Sequence, residues 1–312
     1  IDYVSDAVKS GAAAVLYDAD DDYARQRIAL LAKQITTHWI GVAHLERVQG
    51  EIVSRFYGEP SQSMTIVGVT GTDGKTSVTH LLTQALTRLG RKTASIGTLG
   101  YGIGEARKPS NYTTPDAITL QSYLYEFSQQ QCESVVMEVS SHALDQYRVA
   151  GCQFDIAVFT NLGRDHLDYH HDRASYAAAK ARLFRNYALM ARVINVDDEF
   201  GRSLCAELAS ADLIRFSASL ANQHNGAEVQ LLRSDMSAEG LTLLVATPLG
   251  EICAKTALIG HFNIENTLAC IASLIAMQFD RSEIEQAVTG LQPIPGRMER
   301  FGGIEGRATV VI

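Results

Sequence analysis

A chain of 312 residues is longer than one core usually serves, so its length predicts two domains. Apolar residues make up 46% and charged residues 20%, which excludes a disordered or fibrous chain and fits a soluble globular one. The formal net charge of −8 argues against a general nucleic-acid binder, which carries a basic face, but leaves room for local basic pockets around a small anion. Cys132, Cys152, Cys205, Cys253 and Cys270 form no CxxC pair and are expected to be buried reduced thiols of a cytoplasmic protein. No signal-peptide pattern is legible, and no apolar run reaches the roughly 18 residues a membrane span needs.

Residues 1 to about 62 alternate helix and strand: "AVKSG", "AAAVLYD", "ARQRIALLAKQI", "HWIGVAH" and "LERVQGEIVSRFYG". "GEPSQS" at 58–63 carries the Gly, Pro and Ser of a linker. The next run, residues 64–70, is continuously apolar, as in a strand covered on both faces. "KTSVTHLLTQALTRLG" reads as a helix ending at Gly90. "SVVMEVSS", "DIAVFTNL" and "ARVINVDDE" read as further buried strands, with "ASYAAAKARLFRNY" a helix between the last two. This alternation predicts an α/β fold with a mostly parallel sheet and crossover helices. Over 227–259 the pattern becomes that of antiparallel strands joined by a "TPLGE" hairpin, which predicts a small antiparallel sheet. "NIENTLACIASLIAMQF" and "RSEIEQAVTGL" return to helix. The expected division is a partial α/β domain over 1–62, a central domain over 63–302 and the start of a linker at 303–312. Both ends read as cut, since the chain opens inside a helix and closes on the strand-like "ATVVI".

Six stretches carry candidate chemistry. In "GVTGTDGKTS", Gly68, Gly71 and Gly74 precede Lys75, Thr76 and Ser77, a variant phosphate loop with Val69 where the strict pattern has Gly. A strand before and a helix after are the right setting, because backbone N–H groups at a helix N-terminus bind phosphate. Lys75 is then expected to reach the terminal phosphates and Thr76 to ligate Mg²⁺; a Gly-rich turn without a ligand is the alternative. In "MEVSSHALDQYRV" a buried strand delivers Glu138, Ser140, Ser141 and His142 to the sheet edge where α/β proteins bind ligands. A carboxylate beside a phosphate loop suits Mg²⁺. "FTNLGRDHLDYHHD" is rich in Asp and His, but no spacing fits zinc, and composition favours no histidine in it over another. Lys180 follows an alanine run on a helix and reads as a surface lysine. Asn263 of "GHFNIENTLA" reads equally as an N-cap or, with Asn266, as a reader of an adenine edge. Arg297 in "PIPGRMER" sits on a turn and reads as a linker residue or a phosphate contact.

Taken in order, "GVTGTDGKTS", "NYTTPDA", "MEVSSHALDQYRV", "TNLGRDHLDYH", "YAAAKARLF", "GHFNIEN" and "PGRME" resemble the Mur ligase family over about residues 64 to 300. "EVSSH", the Thr–Thr pair and "QYRV" place the resemblance nearest its UDP-N-acetylmuramoyl-tripeptide synthetase branch. The resemblance implies a UDP-binding N-terminal domain, a central ATPase domain and a third domain; this sequence matches the rear of the first and all of the second. It implies ATP-dependent amide formation in peptidoglycan precursor synthesis, with UDP-MurNAc-L-Ala-D-Glu and a diamino acid as substrates, meso-diaminopimelate ahead of L-lysine. A cytoplasmic monomer is implied too. Gly71, Thr72, Asp73, Gly74, Lys75, Thr76, Ser77, Asn263, Asn266 and Arg297 match the family's ATP contacts. Thr113, Thr114, Ser140, Gln146 and Arg148 match its UDP-MurNAc-dipeptide contacts. Thr76 and Glu138 resemble ligands of a first Mg²⁺, and His166 stands at the second-metal histidine. Lys180 matches the lysine that these enzymes carbamylate with CO2, which reverses its surface reading. Asp73, where Asn is commoner, is expected to point away from the phosphates or to reach a metal. Tyr112 replaces a polar amide contact of some relatives. The competing readings are another Mur enzyme or a folylpolyglutamate synthase, which share the phosphate loop and the lysine but against which "EVSSHALDQYRV" and "NYTTPDA" weigh, and a nucleotide-binding module that is not an enzyme. The 312 residues are expected to bind nucleotide without completing ligation.

Overall fold

The computed structural model describes residues 3–104, 106–220, 226–237, 239–295, 298, 300–302 and 309–311. The first part of the chain runs α1 (Val4–Lys9), β1 (Ala14–Asp18), α2 (Asp22–Leu31), β2 (His38–Val42) and α3 (Leu45–Phe56). β1 and β2 pair in parallel, Ala14 opposite His38. Asp21 caps α2 by accepting from the N–H groups of Tyr23 and Ala24. The stretch expected as a linker is folded: Pro60–Ser63 form a 3-10 turn, Pro60 and Ser61 are buried, and the Ser61 hydroxyl accepts from Gln153 N at 3.0 Å.

The rest is built on one large sheet. Its strands are β3 (Thr65–Thr70), β4 (Thr93–Gly97), β5 (Gly100–Ile103), β6 (Ala106–Lys108), β7 (Ser134–Glu138), β8 (Ile156–Phe159), β9 (Ala191–Asn195), β10 (Leu213–Ser217), β11 (Val229–Ser237), β12 (Gly240–Ala246) and β13 (Ile252–Thr256). The spatial order is β13-β12-β11-β10-β9-β8-β3-β7-β4-β5-β6. The middle, from β11 to β4, is parallel, and both edges turn antiparallel. The three antiparallel strands read from 227–259 therefore extend the main sheet at one edge instead of standing apart. A two-stranded antiparallel pair, β14 (Arg300–Gly302) with β15 (Thr309–Val311), is separate.

Helices α4 (Lys75–Arg88), α5 (Ala117–Gln129), α6 (Ser141–Asp145), α7 (Leu167–His170), α8 (Arg173–Arg185), α9 (Glu199–Leu208), α10 (Phe262–Ala276) and α11 (Arg281–Val288) complete the fold. Period-two alternation splits β3 between two cores. Val67 and Val69 join Leu81, Leu86, Leu268 and Ile271 on one face, and Ile66 joins Leu124, Met137, Phe159 and Phe184 on the other. Burial on both faces is why the central strands read as unbroken apolar runs. β3 lies between β7 and β8; the chain runs from β3 to β4 on one side, and from β7 it crosses to β8 on the other. Such a switch point opens a crevice at the C-terminal strand ends.

Candidate functional site

The segment between Thr70 and Lys75 closes over this crevice. Gly71 has φ +151° and lies against β8, where an added Cβ would be 1.9 Å from Thr160 Oγ1. Gly74 has φ +82° at the N-cap of α4, a left-handed conformation that favours glycine. Polar groups after β8 hold the loop from outside: Thr160 Oγ1 donates to Asp73 O (2.6 Å), and Asp73 N donates to Asn161 Oδ1 (2.9 Å). Gly163 N donates to Thr72 Oγ1 at 2.8 Å. Lys75 Nζ lies across the loop, donating to Gly71 O (3.0 Å) and Thr72 O (2.7 Å). The first N–H groups of α4 have no intrahelical acceptor and are the anion-binding feature of such a terminus. Gly71→Ala is expected to cost about 1–3 kcal/mol by overpacking against Thr160, read as a lower midpoint in urea unfolding.

A cavity of about 220 Å³ opens beneath the loop, lined among others by Lys75, Thr76, Glu138, His166 and Lys180. Glu138 ends β7 and is 1% exposed. Burial pushes its carboxyl up, and hydrogen bonds from Thr98 and Thr76 oppose the shift. Thr76 Oγ1 donates to Glu138 Oε2 at 2.9 Å and Thr98 N to Oε1 at 2.8 Å. Hard oxygen donors at a phosphate loop fit Mg²⁺, which is held by one or two carboxylate or hydroxyl groups and keeps waters or phosphate oxygens as its other ligands. Among the described residues no group of three or more His, Cys, Asp or Glu could hold a metal ion. His166 lines the same cavity, has φ +54°, and meets the ring of His142 edge-on at 4.8 Å.

Lys180 corrects the surface reading. It is 1% exposed, and its Nζ donates to Gly71 O at 2.6 Å and lies 4.4 Å from the centre of the Tyr176 ring. Burial, with a smaller contribution from Lys75, lowers its pKa to about 6. A lysine so placed is largely a neutral amine at pH 7, the form that can react with CO2. The local sequence hides this because α8 is alanine-rich, and Tyr176, Ala177, Lys180, Ala181 and Phe184 share its buried face.

The residues matched to the dipeptide substrate gather at the ends of β7 and α6. Thr113 Oγ1 is 3.1 Å from Thr98 Oγ1. Thr114 is buried; its hydroxyl donates to Glu138 O (2.9 Å) and accepts from Ser140 N (3.0 Å), clamping the end of β7. Ser140 caps α6 through Ala143 N. Arg148 Nη1 donates to Thr114 O at 3.2 Å and its Nε to Gln146 Oε1 at 2.9 Å. Arg148 also lies over the Tyr112 ring at 5.4 Å, so Tyr112 packs beside this group.

A second cleft, of about 560 Å³, lies on the other side of the loop. Leu81, Leu258, Phe262 and Ile294 give it apolar walls, while Ser77, Asn263, Glu265 and Asn266 give it polar groups. Asn263 is not the N-cap of α10, a place taken by His261. Its Nδ2 donates to Ile259 O (2.8 Å) and its Oδ1 accepts from Asn266 Nδ2 (3.0 Å). Asp73 lines both clefts where they meet. Arg297 lies outside the described residues. The structure thus brings the other sequence-selected residues to one edge of the sheet. Thr98, Thr160, Asn161, Tyr176 and Glu265 escaped the sequence reading. Thr98, Thr160 and Asn161 follow strand ends, a position that could have found them.

These features define a phosphate-loop α/β domain with two clefts meeting at the loop. The Mur ligase middle domain family matches residues 69–274, and the chain belongs to that family. It is similar to the UDP-N-acetylmuramoyl-L-alanyl-D-glutamate–2,6-diaminopimelate ligase of Alkalilimnicola ehrlichii, 44% identical over 313 aligned positions covering 99% of this chain and 62% of that protein. The enzyme of the same name from Ectopseudomonas mendocina is 41% identical over 309 positions, covering 99% and 61%. A solved structure bearing that name superimposes with TM-score 0.80 at 30% identity, covering 94% of this chain and 62% of the other. The chain spans about three fifths of the length of these relatives. No helix among the described residues is long and apolar enough to cross a membrane.

Proposed function

We propose that the chain is the nucleotide- and acceptor-binding part of a cytoplasmic, monomeric, ATP-dependent ligase of peptidoglycan precursor synthesis. It joins a diamino acid to UDP-MurNAc-L-Ala-D-Glu; the relatives are named for 2,6-diaminopimelate, which supports diaminopimelate, in the meso form expected from the resemblance, over L-lysine. The observation that carries this reading is the buried Lys180 amine on the same cavity as Thr76 and Glu138, directly under the phosphate loop. Residues 1–62 would serve the UDP end of the acceptor, 63–302 the chemistry, and 303–312 the path towards a further domain.

Lys75 and the N–H groups at the start of α4 would hold the β- and γ-phosphates of ATP, with Thr72 and Ser77 alongside. Asn263 and Asn266 would brace the base end and Arg297 would contact a phosphate. Thr76 and Glu138 would hold one Mg²⁺, and His166 with carbamylated Lys180 a second. These ions would neutralise charge where two anions approach each other. Thr113, Thr114, Ser140, Gln146 and Arg148 would position the acceptor so that its D-Glu carboxylate oxygen attacks the γ-phosphorus in line. An O–P bond forms as the bond to the β-phosphate oxygen breaks, giving an acyl phosphate and ADP. The diamino acid's amine then attacks the acyl carbon, and phosphate leaves as an amide and one proton are formed.

The test is phosphate release from ATP, Mg²⁺ and UDP-MurNAc-L-Ala-D-Glu, using the chain and a form extended to its relatives' length. Release by the extended form that requires meso-diaminopimelate is expected, with nucleotide binding alone by the 312 residues. Release with L-lysine only would overturn the choice of amino acid, and none with either would overturn the reaction.

A further inference from the structure

Thr76, His80, Gln84 and Arg88 recur every four residues along α4 and form one polar stripe running away from the phosphate loop. Thr76 belongs to the Glu138 cavity, while Arg88 Nη1 donates to Thr289 O. Between them, His80 has a nitrogen donor at each ring nitrogen. Arg107 Nη2 lies 3.0 Å from Nδ1, and Gln84 Nε2 lies 2.7 Å from Nε2. The Gln84 amide is itself paired twice with the backbone of Gln292: Nε2 donates to Gln292 O and Oε1 accepts from Gln292 N, both at 3.1 Å.

These contacts cannot all hold. A neutral imidazole carries one N–H and one acceptor nitrogen, an imidazolium none that accepts, and a guanidinium only donates. Burial, then Arg107, lowers the His80 pKa to about 4, so the ring is neutral at pH 7. If Nδ1 accepts from Arg107, the proton sits on Nε2 and must be donated to Gln84. Gln84 then has to present Oε1, which sets oxygen against Gln292 O and amine against Gln292 N–H. If instead Nε2 accepts from Gln84, both bonds to Gln292 stand, but Nδ1–H faces the Arg107 donors and that contact is lost. The conflict follows from the heavy-atom positions and holds whichever way the amide is turned.

The two contacts serve different sides of the site. Arg107 is on β6, which leads directly into the loop carrying Thr113 and Thr114. Gln292 immediately precedes Pro293 and Ile294, which wall the larger cleft. We propose that His80 is a positioning residue which grips either the Arg107 strand or, through Gln84, the Gln292 segment, and so sets the acceptor-side loop and the nucleotide-cleft wall in opposition. The inference rests on the proposed assignment of the two clefts. Two mutually exclusive hydrogen-bond arrangements at one side chain are the kind of two-state element through which two sites couple, provided each site biases them.

The test is the affinity of the 312-residue chain for Mg²⁺ with a β,γ-methylene ATP analogue, measured by calorimetry. Arg107→Met releases His80 to Gln84 and is expected to tighten binding about 5- to 10-fold, near the lower end of typical site-to-site couplings. In a His80→Leu background the same substitution is expected to change nothing. No tightening by Arg107→Met, or equal tightening in both backgrounds, would overturn the proposal. Gln84→Met is the independent variant: it leaves His80 to Arg107 and should weaken binding, whereas unchanged affinity counts against the proposal. Nitrogen-15 NMR of the His80 ring separates this from failure of the nucleotide reading. The ring proton should move from Nε2 in Gln84→Met to Nδ1 in Arg107→Met whether or not a nucleotide binds, and an unmoved proton overturns the proposal.

Discussion

Lys75→Ala is expected to weaken binding of a Mg²⁺-bound ATP analogue by about 100-fold while leaving the fold intact. Hydrogen bonds to charged groups contribute about 1.5–3 kcal/mol each, and each 1.4 kcal/mol is tenfold in affinity. Lys75 Nζ is within 3.0 Å of two loop carbonyls, so its charge sits at the centre of the loop, and nucleotide phosphates would draw it from those carbonyls. Removing it frees Gly71 O and Thr72 O, and Gly71 O still accepts from Lys180. The stability cost should therefore be small. Lys75→Arg should restore little, since a planar fork does not replace a compact ammonium on so short a loop. Isothermal titration calorimetry checks this, and a change under about threefold would remove Lys75 from the phosphate site.

Lys180→Met is expected to separate stability from activity. The substitution takes a buried amine out of the core, so thermal stability should rise at pH 7. The sign of the pH dependence follows from the shift. Unfolded, the amine titrates at its ordinary value of 10.5; folded, at about 6. Between those values the unfolded state binds the extra proton, so stability rises with pH across that window. It is lost as pH falls towards 6, and the Met variant should lack this slope. Activity should move the other way. In the form extended to its relatives' length, ligation should fall by about 10²–10³-fold, the scale of losing one transition-state charge contact. The parent chain in ¹³C-bicarbonate should show a carbamate carbon signal at pH 7.5 that is lost below pH 6, because only the neutral amine adds to CO2. A signal that persists in Lys180→Met would assign the carbamate elsewhere. Full ligation by that variant would remove Lys180 from the chemistry.

Much of the candidate site is legible in the sequence. A strand, a glycine-rich turn and Lys75-Thr76 at a helix start make a phosphate loop by local geometry alone. Glu138 was legible because a buried strand ends there, and strand ends share one edge of a parallel sheet. Other features were opaque for physical reasons. An alanine-rich helix is apolar or small on most of its sides, so the periodicity of α8 does not single out the face on which Lys180 is buried. The residue type of Asn263 suits an N-cap as well as an adenine contact, but the cap falls at His261 and the amide is spent on Ile259 O and Asn266. The Gly-Pro-Ser stretch looked like a free linker, although Ser61 is pinned to Gln153, 92 residues further on. The alternation over 227–259 shows antiparallel strands but not that they join the main sheet, because edge pairing leaves no mark in a strand's own alternation.

The sequence by itself determined the α/β class, the alternation of strand and helix around the glycine-rich turn, and that turn's place at a helix start, since these depend on hydrophobic period, turn chemistry and neighbours a few residues apart. Only the tertiary structure decided that Lys180 is buried under Gly71, that Thr98 shares Glu138 with Thr76, and that Arg107 and Gln84 meet at one histidine. Each of those pairs residues 27 to 109 positions apart or depends on such a pair. Their burial and shared protons exist only once the sheet has brought them together.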